Sequence, residues 1–451
     1  MDYTRQLAQF AVQLKYSDLP AAVIEKAKEF ALHAWGVQLA CSTLPWSKAA
    51  FRYTQGQGGN PQSTVVNYGL KTSAVNAAFA NGAFGHGFEM DDNHAATSTK
   101  CGSVVVPAAL AVGEQQLCSG QDFILATVIA VEVMTRVALS VTPALSLRGH
   151  HPTGGCGPFG AAAATGRLLG FDEATMLNAL SIAGAHSAGL QEAPPSGRGH
   201  LKRIFGGMAA ASGVRAALLA GEGLTGPDTM LEGEKGFCRA FGNATNPTAL
   251  TAGLGTEWQI QRIHYKIYAQ DGYIQPMSEA LERILKRHDV KPDEIEEVVA
   301  GTNAHAHNQV IGLIREPKDL TSAQFSANFS LALFLVKGNA GFREYSEESL
   351  ADARIVALSK RIRTEIDDEI EREWQKTKPR GARVTVRMKS GETYTECVHN
   401  LRAMTCDDVD KKFLRLASVV LRPERCEYLV KVGRNLETVG DISSVASLLA
   451  R

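Results

Sequence analysis

Alanine and glycine are dense along the apolar, periodic segments of the first 250 residues, as in the run Ala161–Ala164. Apolar residues recur there at helical spacing, for example at Val23, Ala27, Phe30 and Ala34. Small side chains let helix axes approach closely, so we expect a tightly packed helical bundle. The predicted helices cover residues 21–39, 72–85, 107–115, 122–141, 160–169, 172–190 and 208–220.

The pattern changes near Trp258, where apolar and polar residues begin to alternate, which is typical of β-strands. The predicted strands are 259–266, 296–301, 361–366, 383–388 and 393–398, with a helix at 276–287 and further helices at 407–421 and 423–436. The sequence therefore predicts a mainly α fold. Residues 1–258 and 401–451 would form a large all-helical domain, with a smaller α+β domain inserted at residues 259–400.

The charge of the chain is balanced, because 47 Lys and Arg residues face 47 Asp and Glu residues. We expect neither nucleic acid nor a membrane surface as a partner, since both attract an excess of positive charge. The N-terminus lacks a signal-peptide pattern, and Glu132 and Arg136 interrupt the apolar stretch Phe123–Leu139. Eight cysteines without a C-x-x-C pair favour a reducing compartment, so a cytoplasmic location is expected.

The segment His86–His94 holds Glu89, Asp91 and Asp92 at the end of a predicted helix. Carboxylates oppose the dipole at a helix C-terminus, and crowded carboxylates raise one another's pKa values. A raised pKa suits general base catalysis. The alternative is a solvated acidic turn.

A glycine-rich stretch, His151–Gly160, leads directly into a helix. Gly155, Gly157 and Gly160 match the form of a dinucleotide fingerprint, but a helix rather than a strand precedes them, so no nucleotide is expected. The open N–H groups of such a helix start can bind a carboxylate, with His151 as acid or base near neutral pH. The alternative is a buried histidine bonded to the backbone.

Two lysines stand near further helix starts. Lys202 precedes an alanine-rich helix and could pair with a substrate carboxylate or a catalytic acid, whereas the alternative is a solvated basic loop. Lys266 ends the first predicted strand, and Tyr273 precedes the next helix. A domain junction favours a ligand site, although aromatic packing explains Tyr273 equally well.

Other kinds of site are not indicated. His150-His151 and His305-x-His307 lack a recognised metal-ligand spacing, and no His-Glu-x-x-His motif occurs. Neither a Gly-x-Ser-x-Gly elbow nor a phosphate-binding loop is present in the sequence. We therefore expect no catalytic metal, and neither serine hydrolase nor nucleoside triphosphate chemistry.

These segments, in this order, resemble the MmgE/PrpD family, whose activities include 2-methylcitrate dehydration, cis-aconitate decarboxylation and iminodisuccinate epimerisation. The most specific part is His-Pro-Thr, then glycines, then Phe-Gly-Ala-Ala-Ala-Ala, over residues 151–164. The resemblance implies a helical domain with a smaller α+β lid domain, a homodimer and no cofactor. It also implies a lyase that dehydrates or decarboxylates a methylcitrate- or aconitate-like polycarboxylate through a carbanion-like intermediate.

The resemblance suggests a role for each matching residue. The expected catalytic residues are His151, Lys266, Asp91 and Lys202, and the expected substrate-binding residues are Glu89, Asn93, Lys100 and Tyr273. The lysines Lys202 and Lys266 would clamp substrate carboxylates and stabilise developing negative charge. His151 would move the proton, and Asp91 or Glu89 would orient a lysine or act as the partner base.

The chain departs from the family pattern just after the acidic motif. Many members carry histidine and proline there, whereas this chain reads Ala96–Gly102 with Lys100 as the most interesting substitute. Asn93 stands where threonine or cysteine is usual. Two alternatives therefore stay open: an epimerase or isomerase of an iminodisuccinate-like dicarboxylate, and a catalytically inactive relative that binds a carboxylate.

Overall fold

The structure, a computed structural model, describes residues 2–192, 200–243 and 246–451. The chain divides into two compact units. The first contains residues 2–191, 201–243, 246–265 and 404–451, so the C-terminal helices return to the unit formed by the N-terminal half. The second contains residues 266–403 together with Glu192 and His200.

The first unit is built from α-helices and two small antiparallel sheets. Its helices are Tyr3–Gln13, Ala21–Cys41, Pro45–Gln57, Ala74–Gly85, Val105–Gln116, Gly120–Val141, Ala144–Leu147, Pro152–Leu168, Glu173–Gly184, Phe205–Gly221, Phe237–Gly242, Cys406–Ala417, Pro423–Arg434 and Ser443–Leu448. Ser63–Thr64 pairs with Lys71–Thr72, and Asp92–His94 pairs with Ile263–Tyr265. The fold is mainly α, as predicted, but the expectation of an all-helical domain is wrong, because these four short segments pair as antiparallel strands.

Glycines bring helix backbones of the first unit into direct contact. A Cβ atom added at Gly82 would lie 2.7 Å from the Cα atom of Gly207, and one added at Gly207 would overlap the carbonyl oxygen of Phe79. A Cβ atom at Gly160 would lie 2.7 Å from that of Met134. Protein interiors do not tolerate such overlap, so these helices depend on glycine at the crossing. The predicted close approach of small-residue helices is confirmed.

The helix predicted over residues 172–190 ends at Gly184. Beyond it, Leu190 forms a β-bridge with His150, and the N–H group of His151 donates to the carbonyl oxygen of Gly189 at 3.0 Å. This backbone pairing requires an extended chain, so the prediction is wrong at its C-terminal end. The pairing fixes His151 directly before helix Pro152–Leu168.

The strand predicted over residues 259–266 is also shorter than expected. Gln259–Arg262 forms a 3-10 turn, and Ile263–Tyr265 is the strand. The N–H group of Gln259 donates to Oε1 of Glu132 at 2.5 Å, and Arg136 donates to backbone carbonyls at 252, 253 and 257. These bonds hold the chain in a turn, which overrides the alternating pattern.

Two helices among the described residues are long and apolar enough to cross a membrane by length and composition: Gly120–Val141 and Leu201–Gly221. In the most apolar window of each, 94% and 61% of the residues are buried inside this protein. A buried core helix meets the same two criteria. In the first helix, Nε of Arg136 lies 3.0 Å from a carboxylate oxygen of Glu132, and both side chains are enclosed by the first unit.

The second unit combines a four-stranded sheet with helices. Its strands lie in the order Ile362–Ile366, Ile295–Thr302, Ala382–Met388 and Thr393–Val398, the first pair parallel and the others antiparallel. Its α-helices are Gln275–Arg287, Ala304–Ala306, Leu320–Gln324, Ala327–Lys337, Glu347–Ala351, Ala353–Ser359 and Asp368–Thr377. The predicted hairpin is confirmed, and Gly391 adopts φ +94 in its turn, a conformation that favours glycine.

Candidate active site

The acidic segment begins where helix Ala74–Gly85 ends, with His86 as the first residue after it. Glu89, Asp91 and Asp92 are each 1% exposed, and His86 is fully buried. The alternative of a solvated acidic turn is therefore wrong. Three carboxylates this deeply buried need cations, hydrogen bonds or protons to compensate for lost hydration.

Two cations from the segment before helix Phe205–Gly221 bind Glu89. The Nζ atom of Lys202 donates to Oε1 of Glu89, and Nη1 of Arg203 donates to the same oxygen at 3.1 Å. Lys202 is 7% exposed and Arg203 is fully buried, with its guanidinium carbon 5.5 Å from the ring centre of Trp46. The alternative of a solvated basic loop is wrong, because these cations lie inside the first unit.

Asp91 faces a histidine that the expected site did not include. Its Oδ2 atom lies 2.9 Å from Nδ1 of His86, an ion-pair distance whose angle falls outside hydrogen-bond geometry. The ring of His86 meets the ring of His151 edge to face, with centres 5.7 Å apart. Burial lowers the pKa of His86 to about 4 against the opposing effect of Asp91, so its imidazole is neutral near pH 7.

His151 lies at the centre of the charged groups. Burial lowers its pKa most strongly, followed by the positive charges of His86, Lys202 and Lys100, while Glu89 raises it. The Nδ1 atom of His151 is buried and makes no hydrogen bond to any residue that the structure describes. An imidazole in this state is neutral at pH 7 and keeps a nitrogen available for a ligand or a proton.

The two expected substrate-binding residues that follow the acidic pair contact each other. The Nζ atom of Lys100 donates to Oδ1 of Asn93 at 2.5 Å and to the carbonyl oxygen of Ser98 at 3.0 Å. The backbone N–H of Lys100 donates to Oγ1 of Thr153 at 3.0 Å, which ties this loop to the helix after His151. Lys100, the expected substitute for the histidine that many family members carry, is 8% exposed and is therefore a buried cation.

Asp92 turns toward the backbone of the same loop. Its Oδ1 atom accepts from the N–H group of Gly102 at 2.9 Å, whereas Oδ2 has no hydrogen-bond partner among the described residues. Burial and the charge of Asp91 raise the pKa of Asp92 to about 7, while Lys100 and the Gly102 N–H pull it down. Asp92 therefore carries a proton for much of the range below pH 7.

A second buried pair lies beneath the acidic segment and is absent from the expected site. The Nζ atom of Lys412 lies 2.8 Å from Nε2 of His33 and donates to the carbonyl oxygen of Met90 at 2.8 Å. The ring of Tyr265 stacks on His33 with centres 4.2 Å apart. Neither residue stands in a recognisable motif, so only the three-dimensional contact identifies them. His86 and Arg203 could have been found from the sequence, because His86 begins the acidic segment and Arg203 directly follows Lys202.

Lys266 and Tyr273 belong to the second unit. Lys266 is 5% exposed, and the ring of Tyr273 lies 5.0 Å from the guanidinium carbon of Arg380. The N–H group of Tyr273 donates to Oδ1 of Asp271 at 2.9 Å. Their participation in the site stays a prediction.

One group of potential metal ligands occurs among the described residues, and it lies in the second unit. Glu369, Glu373 and His399 place their ligand atoms within 4.8 Å of one another, with Nδ1 of His399 2.9 Å from Glu373. Arg383 already binds Glu369, and both glutamates have exposed or half-exposed side chains. None of the expected site residues belongs to this group.

The first unit thus brings six expected or neighbouring residues into one electrostatic cluster around His151: Glu89, Asp91, Asn93, Lys100, Lys202 and His86. Buried cations attract an anionic group more strongly than exposed ones, because little water screens them. A neutral imidazole among them can take up and release a proton. The cluster is suited to binding a carboxylate and moving a proton next to it.

Sequence comparison assigns the chain to a protein family. The MmgE/PrpD N-terminal domain matches residues 5–249, and the MmgE/PrpD C-terminal domain matches residues 268–438. The chain belongs to the MmgE/PrpD family. Every residue of the cluster around His151 lies within the part matched by the N-terminal family domain.

The similar proteins described next are all named for one activity, the decarboxylation of cis-aconitate. The chain is 29% identical to a cis-aconitate decarboxylase-like protein, oryM, of Aspergillus oryzae, over 99% of this chain and 97% of the relative. It is 28% identical to the cis-aconitate decarboxylase of Aspergillus terreus, over 99% and 95% of the two chains. The human cis-aconitate decarboxylase is 25% identical over 97% and 92%. These relatives support a lyase and give no support to the isomerase alternative.

Proposed function

We propose that this chain is a lyase that decarboxylates a small tricarboxylate similar to cis-aconitate and needs no cofactor. The observation that carries the proposal is the position of His151, buried and within electrostatic range of Lys100 and Lys202. The names of the similar proteins support the choice of decarboxylation over the dehydration that the family also performs.

The charges of the cluster suit a substrate with several carboxylates. Lys100, Lys202 and Arg203 are buried cations; Lys202 and Arg203 bind Glu89, and Lys100 donates to Asn93. Asp92 is partly protonated near pH 7 and so carries less than a full negative charge. A polycarboxylate that enters this cluster would gain hydrogen bonds from these cations that are strong because both partners are charged.

The reaction needs two things that these residues can provide. Loss of CO₂ breaks a C–C bond and leaves its electron pair on carbon, where a cation beside a neighbouring substrate carboxylate stabilises the charge. We assign this role to Lys202 and Lys100. The carbon must then accept a proton. We assign this transfer to His151. Because its pKa lies well below its ordinary value, His151 is neutral near pH 7, so it must first take up a proton from solvent, and its protonated form then releases that proton readily to the carbon.

The test is a substrate panel with purified protein: cis-aconitate, trans-aconitate, citrate and 2-methylcitrate, followed by CO₂ release and proton NMR. We expect CO₂ from cis-aconitate and a loss of about 100-fold or more in kcat for His151→Gln. Absence of CO₂ from every tricarboxylate, with folded protein, contradicts the proposal. Water loss from 2-methylcitrate would assign dehydration instead, and deuterium exchange without a change of mass balance would assign epimerisation.

The proposal also includes a role for the second unit, an oligomeric state and a location in the cell. Lys266 and Tyr273 are proposed to contact substrate from the second unit, which would act as the lid, and the protein is proposed to form a homodimer in the cytoplasm. Light scattering of the purified protein measures its mass against the 48.4 kDa of one chain. Replacing Lys266 by methionine, with kcat and KM on the active substrate, tests its role.

A further inference from the structure

His86 is held in place by the end of its own helix. Its backbone N–H donates to the carbonyl oxygen of Gly82 at 3.1 Å, and its side chain is completely buried. The segment around it is fixed by the contact between Gly82 and the backbone of Gly207. The imidazole therefore has a defined position between Asp91 on one side and the ring of His151 on the other.

The environment selects one form of this imidazole. A carboxylate oxygen of Asp91 lies 2.9 Å from Nδ1, and its negative charge favours the tautomer with the proton on Nδ1 and the lone pair on Nε2. Both ring nitrogens are buried, and neither makes a hydrogen bond to the described residues. A buried polar atom without a partner is costly, and such atoms in native proteins are often retained for function.

The charged groups that act on this imidazole all belong to the cluster. Asp91 and Glu89 favour its protonated form, and Lys202 opposes it. His86 and His151 act on each other as two potential cations. When two such groups interact, a proton on one weakens the proton affinity of the other.

We propose that His86 is a positioning residue: it orients the carboxylate of Asp91 and controls when His151 carries a proton. This inference rests on the proposed function for its kinetic consequences, but the coupling between the two histidines exists with or without turnover. His86 acts through Asp91 and His151 rather than on substrate. It differs in this from His94, a second buried histidine of the same segment, which bonds to Thr97 at 2.9 Å and Gln259 at 3.3 Å.

The experiment compares His86→Gln with His94→Gln as a matched control, since each removes one buried imidazole. In the chain labelled with 13C at the histidine rings, the resonance of His151 is assigned by its loss in His151→Gln and followed against pH. We expect His86→Gln to move the titration of His151 upward by about half a pH unit or more, with no movement in His94→Gln. An unchanged titration in both variants overturns the proposal.

Steady-state kinetics of the two variants provide a second, independent measurement. In His86→Gln we expect kcat for the active tricarboxylate to fall about tenfold or more, with KM within about threefold, because a displaced Asp91 affects the reacting geometry more than binding. The limb of the kcat/KM profile on which activity falls with rising pH, which protonated His151 sets, should move upward with the titration of His151. Equal losses in both glutamine variants, with identical pH profiles, would reduce His86 to packing.

Two features keep the test decisive. If His86→Gln does not fold, the 15N shifts of the unmodified protein still report the tautomer: we expect a proton on Nδ1 of His86 and none on Nε2 at neutral pH. A proton on Nε2 overturns the proposal. If the unmodified protein turns over no tricarboxylate, the proposed function fails, whereas the titration difference between the variants still decides the histidine coupling.

Discussion

The side chain of Lys412 donates to the carbonyl oxygen of Met90 at 2.8 Å, across 322 positions of the chain. Lys412 lies on the C-terminal helix Cys406–Ala417, and Met90 stands between Glu89 and Asp91 in the acidic segment. The same Nζ atom lies 2.8 Å from Nε2 of His33. The C-terminal helices are thus part of the support of the site, although no expected site residue lies on them.

Replacement of Lys412 by methionine should destabilise the protein. The variant keeps the length of the side chain but leaves the carbonyl oxygen of Met90 and Nε2 of His33 without their buried donor. We expect a loss of about 2 kcal/mol in the free energy of unfolding, measured by urea titration. Lys411→Met is the control, because Lys411 is exposed and pairs only with exposed Asp407 among the contacts described. Equal stability of the two variants would show that the contact contributes nothing.

Replacement of Gly207 by alanine should be severely destabilising. The added Cβ atom would overlap the carbonyl oxygen of Phe79, and neither backbone can withdraw without separating two helices. We expect a loss of about 3 kcal/mol or more, seen as a lower Tm. Gly56→Ala is the matched control: Gly56 lies in helix Pro45–Gln57 with nothing within 4 Å of the added atom. Alanine there should raise stability by about 0.5 kcal/mol.

The stability of the protein should fall with rising pH because of Asp92. Its pKa is raised from 3.8 to about 7, so the folded state binds more protons than the unfolded state between these values. Stability from this group is present below the unfolded pKa and is lost as pH rises through the folded pKa. Asp92→Asn keeps an oxygen to accept from Gly102 N–H and should remove up to ~1.4 kcal/mol per pH unit of slope.

The measurement for Asp92 is urea unfolding of both proteins at intervals across this pH range. Glu132, whose pKa burial also raises to about 7, contributes the same slope to both and cancels in the difference. Asp407→Asn, at an exposed position, should retain the slope of the unmodified protein. An Asp92→Asn variant with an unchanged slope would place the titration elsewhere.

Replacement of Lys100 by methionine should weaken substrate binding. The variant removes a buried cation that bonds to Asn93 and acts on His151. We expect KM for the active tricarboxylate to rise about tenfold or more, and to rise less for a monocarboxylate of similar size. Lys48→Met, at an exposed position on helix Pro45–Gln57, is the control. Because Lys100 also pulls down the pKa of Asp92, the pH midpoint of the previous experiment should move upward.

Local patterns predicted the main elements well. Apolar periodicity and small residues gave the helix Ala21–Cys41 and the glycine crossings, and alternation around a glycine turn gave the hairpin before Val398. The prediction failed where partners distant in sequence decide the structure. Leu190 pairs with His150, and Glu132 holds Gln259, so a helix and a strand are shorter than their patterns indicate.

The candidate site likewise contains residues that the sequence identified and residues that only contacts between distant parts of the chain reveal. Motif and family resemblance singled out Glu89, Asp91, His151 and Lys202, and the structure brings these residues into one buried cluster. The family relationship itself is confirmed by both domain matches. The supporting residues had no such signal. Lys412 in particular stands in an ordinary amphipathic helix, and only its contact with Met90 sets it apart from Lys411.

The crossing of Gly82 with Gly207 also limits how a lineage of such proteins diversifies. One glycine precedes His86 and the other follows Lys202, so the two halves of the cluster share a backbone contact that a larger residue at either position would disrupt. Residues 93–100, which run from strand Asp92–His94 to Lys100, contain no glycine and take no part in that crossing. We therefore expect substitutions that change substrate preference to be tolerated at Asn93 and Lys100 more readily than at Gly82 and Gly207.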